Sequence, residues 1–206
     1  MNIFDIYIIL YIIDFTDDKS KNNFIQINTY YNSFKNHITY NNFYDYNKIS
    51  NTLTCKFKNI MYRACDTNIP NVITYLIFNT WFNEKINSCL PNCITHLTFG
   101  EMFNNNIDDI IPDSVTHLTF GFYFNTKINK KLSLNITHLT FGFFFNQTVD
   151  KCLSQNIINL IFGYHFNQKI IFLPPKIKNL TVGYMFNKKF LKYIPHDINI
   201  VVKELL

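Results

Sequence analysis

Arginine is almost missing from this chain: Arg63 is the single one among 206 residues. Glycine, with five residues, is scarce too. The net charge of +5 comes from scattered lysines. Without an arginine cluster or a basic stripe, the chain lacks the electrostatic footprint of a nucleic-acid binder. The five cysteines, Cys55, Cys65, Cys89, Cys93 and Cys152, form neither a CxxC pair nor an even disulfide framework. Cys89 and Cys93 stand four apart, but no second ligand pair follows at zinc-finger spacing. All five are expected to be reduced, mostly small apolar fillers in a cytosolic protein. A long hydrophobic run is also missing. The apolar stretch from Ile3 to Ile13 is interrupted by Asp5, closed by Asp14, and lacks a basic n-region and a cleavage site. It reaches about half of the ~20 residues that a spanning helix needs. No phosphate-binding loop and no Ser/His/Asp set is present, so no catalytic residue and no cofactor is expected.

What the chain does have is a phrase that returns. "ITHLTFGEMFN" at 94–104, "VTHLTFGFYFN" at 115–125 and "ITHLTFGFFFN" at 136–146 are copies of one unit. Aligning the phrase gives six units, starting at Ile69, Leu90, Ile111, Leu132, Leu153 and Leu173, at steps of 21 residues with one of 20. Asn83, Asn104, Asn125, Asn146, Asn167 and Asn187 fill one column, each preceded by Phe. All five glycines, Gly100, Gly121, Gly142, Gly163 and Gly183, fill another. Self-similarity at this period means a solenoid.

Each unit reads I-x-x-L-x-F-G-x-x-F-N-x-x-I. The period-two alternation Leu97-Thr98-Phe99 predicts a short strand with Leu and Phe inward and Thr outward. Pro70, Pro91, Pro112, Pro174 and Pro195 predict an extended, polyproline-like return on the far side. A buried Asn at each bend can satisfy backbone groups of adjacent coils, so the column is read as a structural ladder. Glycine at the strand end implies a positive φ or close backbone approach. Asn79 in that column favours the former, since Asn tolerates that conformation. Of the bend aromatics, one column holds Glu101, Phe122, Phe143, Tyr164 and Tyr184, and the next Trp81, Met102, Tyr123, Phe144, His165 and Met185. Either one stripe faces solvent or both stack as turn packing. "FKNIMY" (57–62) reads as a degenerate capping strand, and the segment after Ile194 as a C-terminal cap with Lys203 in the inward Phe position.

The unit spacing resembles the leucine-rich repeat, and residues 69–206 resemble the FNIP-repeat family, a leucine-rich-repeat relative of amoebae and their giant viruses. The resulting fold class is α+β. A small N-terminal helical module (1–50) is followed by a connector with a capping strand (51–68). A leucine-rich-repeat-like parallel β solenoid of about six 21-residue coils (69–206) completes the chain.

The N-terminal module has a first helix apolar nearly all round, which needs two buried faces. The Asp17-Asp18-Lys19-Ser20 turn caps a second helix expected from about Lys19 to Tyr31. Residues 5–34 resemble an F-box. They depart from it in lacking the leading Leu-Pro, in Thr16 where Leu is usual, and in Thr29-Tyr30-Tyr31 where Cys/Trp-type residues stand. The resemblance implies docking on the Skp-type adaptor of a cullin–RING ubiquitin ligase, through Ile6, Ile9, Leu10, Ile13 and Phe15, while the repeats hold an unknown protein target. Outward columns on the ribbon supply the candidate target-binding residues: His96, Thr98, His117, Thr119, His138, Thr140, Asn159 and Ile161. With an ordinary pKa of ~6.5 the His column would gain charge in mild acid. A straight row of three imidazoles does not surround a metal tetrahedrally, so no metal is expected. Asp108 and Asp109 are adjacent, with diverging carboxylates, and are not read as an acid–base pair. The expected role is a non-enzymatic protein-binding adaptor in the cytoplasm (the host's, if viral), with a stand-alone repeat scaffold as the alternative.

Overall fold

The computed structural model describes residues 3–27, 29–50 and 56–203. The chain divides into two units, Met1–Tyr62 and Arg63–Leu206.

In the first unit, α1 (Ile3–Asp14), α2 (Asp18–Gln26) and a single turn, α3 (Thr29–Asn32), are followed by β1 (Thr39–Asp45), α4 (Tyr46–Ile49) and β2 (Lys56–Ala64). Strand β2 crosses the boundary between the units. Asp17 is the N-cap of α2, accepting from the Ser20 amide at 2.7 Å, as such caps do. The helix stops at Gln26, earlier than its apolar spacing suggests, and the aromatics Phe24 and Tyr31 meet across the break with ring centres 4.5 Å apart. Ile13, Ile38 and Tyr40 form the core, with Leu10, Phe24, Ile25, Tyr44 and Phe57 packed against it.

The module is not purely helical, because β1 pairs with β2 in parallel. A register shift between Tyr40 and Phe43 leaves Asn41 and Asn42 off the ladder. Their amides donate instead to the buried carboxylate of Asp18, at 3.0 and 2.7 Å, and the Tyr44 hydroxyl donates to it at 2.8 Å. Lys21, fully buried, donates to the Thr39 carbonyl at 2.7 Å and lies 3.5 Å from Asp18. One acid thus satisfies a bulge that would otherwise cost two unpaired donors.

In the second unit, β3 (Tyr75–Phe78), β4 (His96–Thr98), β5 (His117–Thr119), β6 (His138–Thr140), β7 (Asn159–Ile161), β8 (Asn179–Val182) and β9 (Asn199–Val202) pair in parallel and in sequence order. Equivalent residues face each other, so His96 lies opposite His117 and Leu97 opposite Leu118. This is a parallel β solenoid of the leucine-rich-repeat kind. Its core is two phenylalanine ladders beside a leucine ladder. Within a coil the rings stack at 3.7–4.2 Å, as in Phe162–Phe166 and Phe99–Phe103. Between coils Phe99 lies 5.5 Å from Phe120, and Phe124 is wholly buried. The 20-residue step is absorbed in the return segment, since Asn159 still pairs with Asn179.

Several expectations change. No described glycine has a positive φ. A Cβ on Gly142 would lie 1.8 Å from the Gly121 carbonyl oxygen, and one on Gly163 2.0 Å from that of Gly142. Close approach of stacked coils, not handedness, therefore sets the glycine column. The prolines do not simply extend the return: Ile94, Val115 and Ile177 donate to the carbonyls of Pro91, Pro112 and Pro174 at 3.1–3.2 Å, so each opens a tight turn into the strand. The Asn ladder is exposed or half-buried, not buried. Finally, Val202, not Lys203, pairs with inward Val182. Lys203 follows in the glycine column, its amide donating to the Val182 carbonyl at 2.9 Å.

Candidate protein-binding surface

Alternation along each three-residue strand buries the central Leu and turns its two neighbours out half-exposed. Stacking in register then converts three copies of H-L-T into two continuous outward columns. His96, His117 and His138 stack face to face with ring centres 4.1 Å apart. Tyr75, a residue the sequence reading passed over although it stands one repeat before His96, heads the column, also 4.1 Å from it. Asn159, Asn179 and Asn199 continue the column through side-chain amide bonds of 2.5 and 3.1 Å. The second column runs Thr98, Thr119, Thr140, Ile161 and Thr181.

The imidazoles are held in one orientation. Each Nδ1 lies 2.9 Å from the hydroxyl of the preceding threonine: Thr95, Thr116 and Thr137. Those hydroxyls give their only proton to the carbonyls of Thr74, Thr95 and Thr116. The hydroxyl oxygen must then accept, which puts the proton on Nδ1 and leaves Nε2 as an acceptor. Burial, and the neighbouring imidazoles His96 and His138, push His117 down to about 4. Burial likewise lowers His96. His117 therefore does not charge in mild acid as expected from isolated histidine, because stacking both dries its ring and opposes a second positive charge.

At the bend, both aromatic columns stack and both remain partly open. Phe122, Phe143, Tyr164 and Tyr184 succeed one another at 4.6, 4.9 and 5.7 Å. Tyr123, Phe144 and His165 do so at 5.3 and 4.8 Å. Beneath them the Asn ladder joins coil to coil. The side-chain oxygens of Asn83, Asn104, Asn125, Asn146 and Asn167 accept the backbone amides of Asn104, Asn125, Asn146, Asn167 and Asn187 at 2.8–3.0 Å. Asn187, the last rung, instead accepts from the Lys189 amide and caps the 3-10 helix Lys188–Tyr193.

The adjacent acids serve the frame. Asp108 accepts from the Asn129 amide and side chain and from the Lys130 amide, and Asp109 pairs with Lys130. Burial works against the charge on Asp108, yet these hydrogen bonds hold its carboxyl below the usual range. Cys65, Cys89, Cys93 and Cys152 are free thiols. Burial pushes that of Cys152 up to about 12, leaving it inert. Among the described residues no helix is long and apolar enough to cross a membrane.

On α1 the residues assigned to adaptor docking are divided. Ile13 is buried and Leu10 packs with it in the module's own core, whereas Phe15 is exposed. The side chains of Ile6 and Ile9 lie outside the described residues. The open face carries Ile8, Tyr11, Ile12 and Phe15, each 56–76% exposed. An all-apolar helix does not reveal which of its faces turns inward; the exposed stripe was therefore illegible until β1 and β2 were in place.

Two proteins of Acanthamoeba polyphaga mimivirus are similar. One, named as an uncharacterized protein, is 36% identical over 84 residues, 40% of this chain and 28% of its own length. The other, named "Putative F-box protein", is 36% identical over 83 residues, 40% of this chain and 31% of its own. A crystal structure described as a novel circular LRR protein, CroV588, matches 73% of this chain at 28% identity and a TM-score of 0.43, over 30% of its length. The chain thus spans less than a third of each relative. The FNIP Repeat family matches residues 66–102, 82–123, 103–144 and 145–184, more than half of the chain. The fold is one of repeat-based protein-interaction scaffolds, and the chain belongs to the FNIP-repeat family.

Proposed function

We propose that this protein is the substrate-recognition subunit of a cullin–RING ubiquitin ligase. The first unit docks a Skp-type adaptor, and the ribbon holds a protein target in the cytoplasm. The observation that carries the reading is the α1 stripe Ile8, Tyr11, Ile12 and Phe15: four large apolar side chains left open while Leu10 and Ile13 complete the local core. Exposed apolar surface of this kind marks an interaction site. The F-box-like spacing of residues 5–34 and a mimivirus relative named as an F-box protein support the adaptor as partner. The target side rests on the His and Thr columns from His96 to Thr140, continued by Asn159 and Ile161. They present a flat ribbon of neutral acceptors and hydroxyls, which suits polar contact without a charge cost.

The test is binding of the purified full chain to a Skp-type adaptor by calorimetry. Micromolar affinity is expected, and Ile12→Asp or Phe15→Asp should abolish it while leaving the fold intact. Ile13→Asp should instead unfold the first unit. If the unmodified chain does not bind at micromolar concentration, the adaptor reading is wrong, and the chain is a stand-alone scaffold.

A further inference from the structure

The charge of this chain is not evenly spread, contrary to its look in sequence. Residues 1–164 hold twelve cations and twelve anions, so the whole of the +5 lies in residues 165–206, which hold seven lysines and two acids, Asp197 and Glu204. All seven lysines are exposed. The same end of the solenoid carries a groove of about 590 Å³, a volume typical of ligand-binding clefts. Thr140 and Ile161 form one wall, and the ring edges of Phe143, Tyr164 and Tyr184 the other. The floor is the glycine column, which has no side chains to fill the trough. Lys203 lines the C-terminal end. It occupies the glycine column by register, so among the members of that column that line the groove, Gly163, Gly183 and Lys203, it alone has a side chain to reach a ligand. Among the described residues it has no ion-pair partner.

We propose that this groove takes an acidic peptide segment of the bound target, seating a bulky apolar side chain between the Thr/Ile wall and the aromatic ladder, with a flanking carboxylate on Lys203. The proposal rests on the ribbon being the target-binding face and does not depend on the adaptor. Apolar walls reward burial of a large side chain, and the local positive charge selects the sign of its neighbours. Nucleic acid fits less well despite the lysines. A base needs a free ring face to stack on, and here Phe143 is held between Phe122 and Tyr164, and Tyr164 between Phe143 and Tyr184. What they offer outward is edges.

The test uses the full chain and fluorescein-labelled pentapeptides, read by anisotropy. Glu-Glu-Phe-Glu-Glu should bind with a Kd of about 10–100 μM. Glu-Glu-Ala-Glu-Glu and Lys-Lys-Phe-Lys-Lys should each bind about tenfold more weakly. Tyr164→Ala should weaken the acidic peptide about tenfold. Lys203→Glu, at an exposed position that cannot unfold the coil, should reduce or invert the preference for acidic over basic peptide. Equal binding of the three peptides, a preference unchanged by Lys203→Glu, or no binding of the acidic peptide at about 1 mM would overturn the proposal. So would an oligo-dT strand that displaces the peptide, which would make the groove a nucleic-acid site. Because no adaptor is present, each of these failures leaves the adaptor reading standing, and loss of adaptor binding leaves this one standing.

Discussion

The two units of this chain are stabilised in opposite ways. The solenoid repeats one solution: each coil from β4 to β7 adds a leucine, two stacked phenylalanines, a glycine at the contact and an Asn rung. No single rung is indispensable, because each coil contacts only its neighbours and stability is close to a sum over them. The first unit has nothing to repeat. Its small core includes Tyr40 of β1, and one carboxylate, Asp18, ties α2 to the β1 bulge, holding two backbone amides, a tyrosine hydroxyl and a buried lysine. The lesson is that redundancy makes the solenoid tolerant and legible, whereas the N-terminal unit concentrates its specificity in one side chain.

The sharpest way to test this contrast is to cut the core of the solenoid. Phe124→Ala should cost about 3–5 kcal/mol, since the ring is wholly buried. Phe122→Ala, two residues away and 38% exposed, should cost far less. Equal losses in a denaturant titration would mean that the outer ladder is core and not surface.

Asp18→Asn should cost about 1–3 kcal/mol, confined to the first unit. Hydrogen exchange should show β1 amides losing protection while β4–β7 keep theirs. Burial works against its charge, but the amides of Asn41 and Asn42, the Tyr44 hydroxyl and Lys21 hold the Asp18 carboxyl below the usual range. A depressed acid contributes stability that is full above the unfolded value of ~3.9 and is lost as pH falls through the lower folded one. The first unit should therefore loosen in acid below about pH 4, and Asp18→Asn should flatten that dependence.

The smallest effect concerns His117. Its folded value, about 4, lies below the unfolded ~6.5. Its contribution to stability is therefore complete above about pH 6.5 and declines as pH falls toward its folded value. In ring NMR spectra His117 should show no midpoint above pH ~5, and His117→Asn should remove part of the solenoid's acid sensitivity. A midpoint near the ordinary histidine value would mean that the rings do not stack.

The period of the repeat, its inward and outward columns and the Asn rungs were readable in the residues. A motif copied six times states its own alignment, and alternation across a strand has only two faces. For the same reason the ribbon columns from His96 to Ile161 were legible. The acid–base behaviour of His117 was not, because it arises from burial and from ring stacking at 4.1 Å between residues 21 apart. The glycine column was visible, yet its cause was misjudged: the obstruction is the neighbouring coil's carbonyl, which no single unit contains.

The sequence alone determined the solenoid, since periodic hydrophobicity at 21 residues can bury its Leu and Phe faces only by stacking copies. Tertiary structure decided the rest. It chose which face of a nearly all-apolar α1 turns inward, because Leu10 and Ile13 meet a core assembled from β1 and β2, elements far along the chain. It made Asn41 and Asn42 part of a bulged strand, because the carboxylate that accepts their amides comes from a helix more than twenty residues away. Local residues specify what repeats locally; a bond between distant segments exists only once the chain has folded.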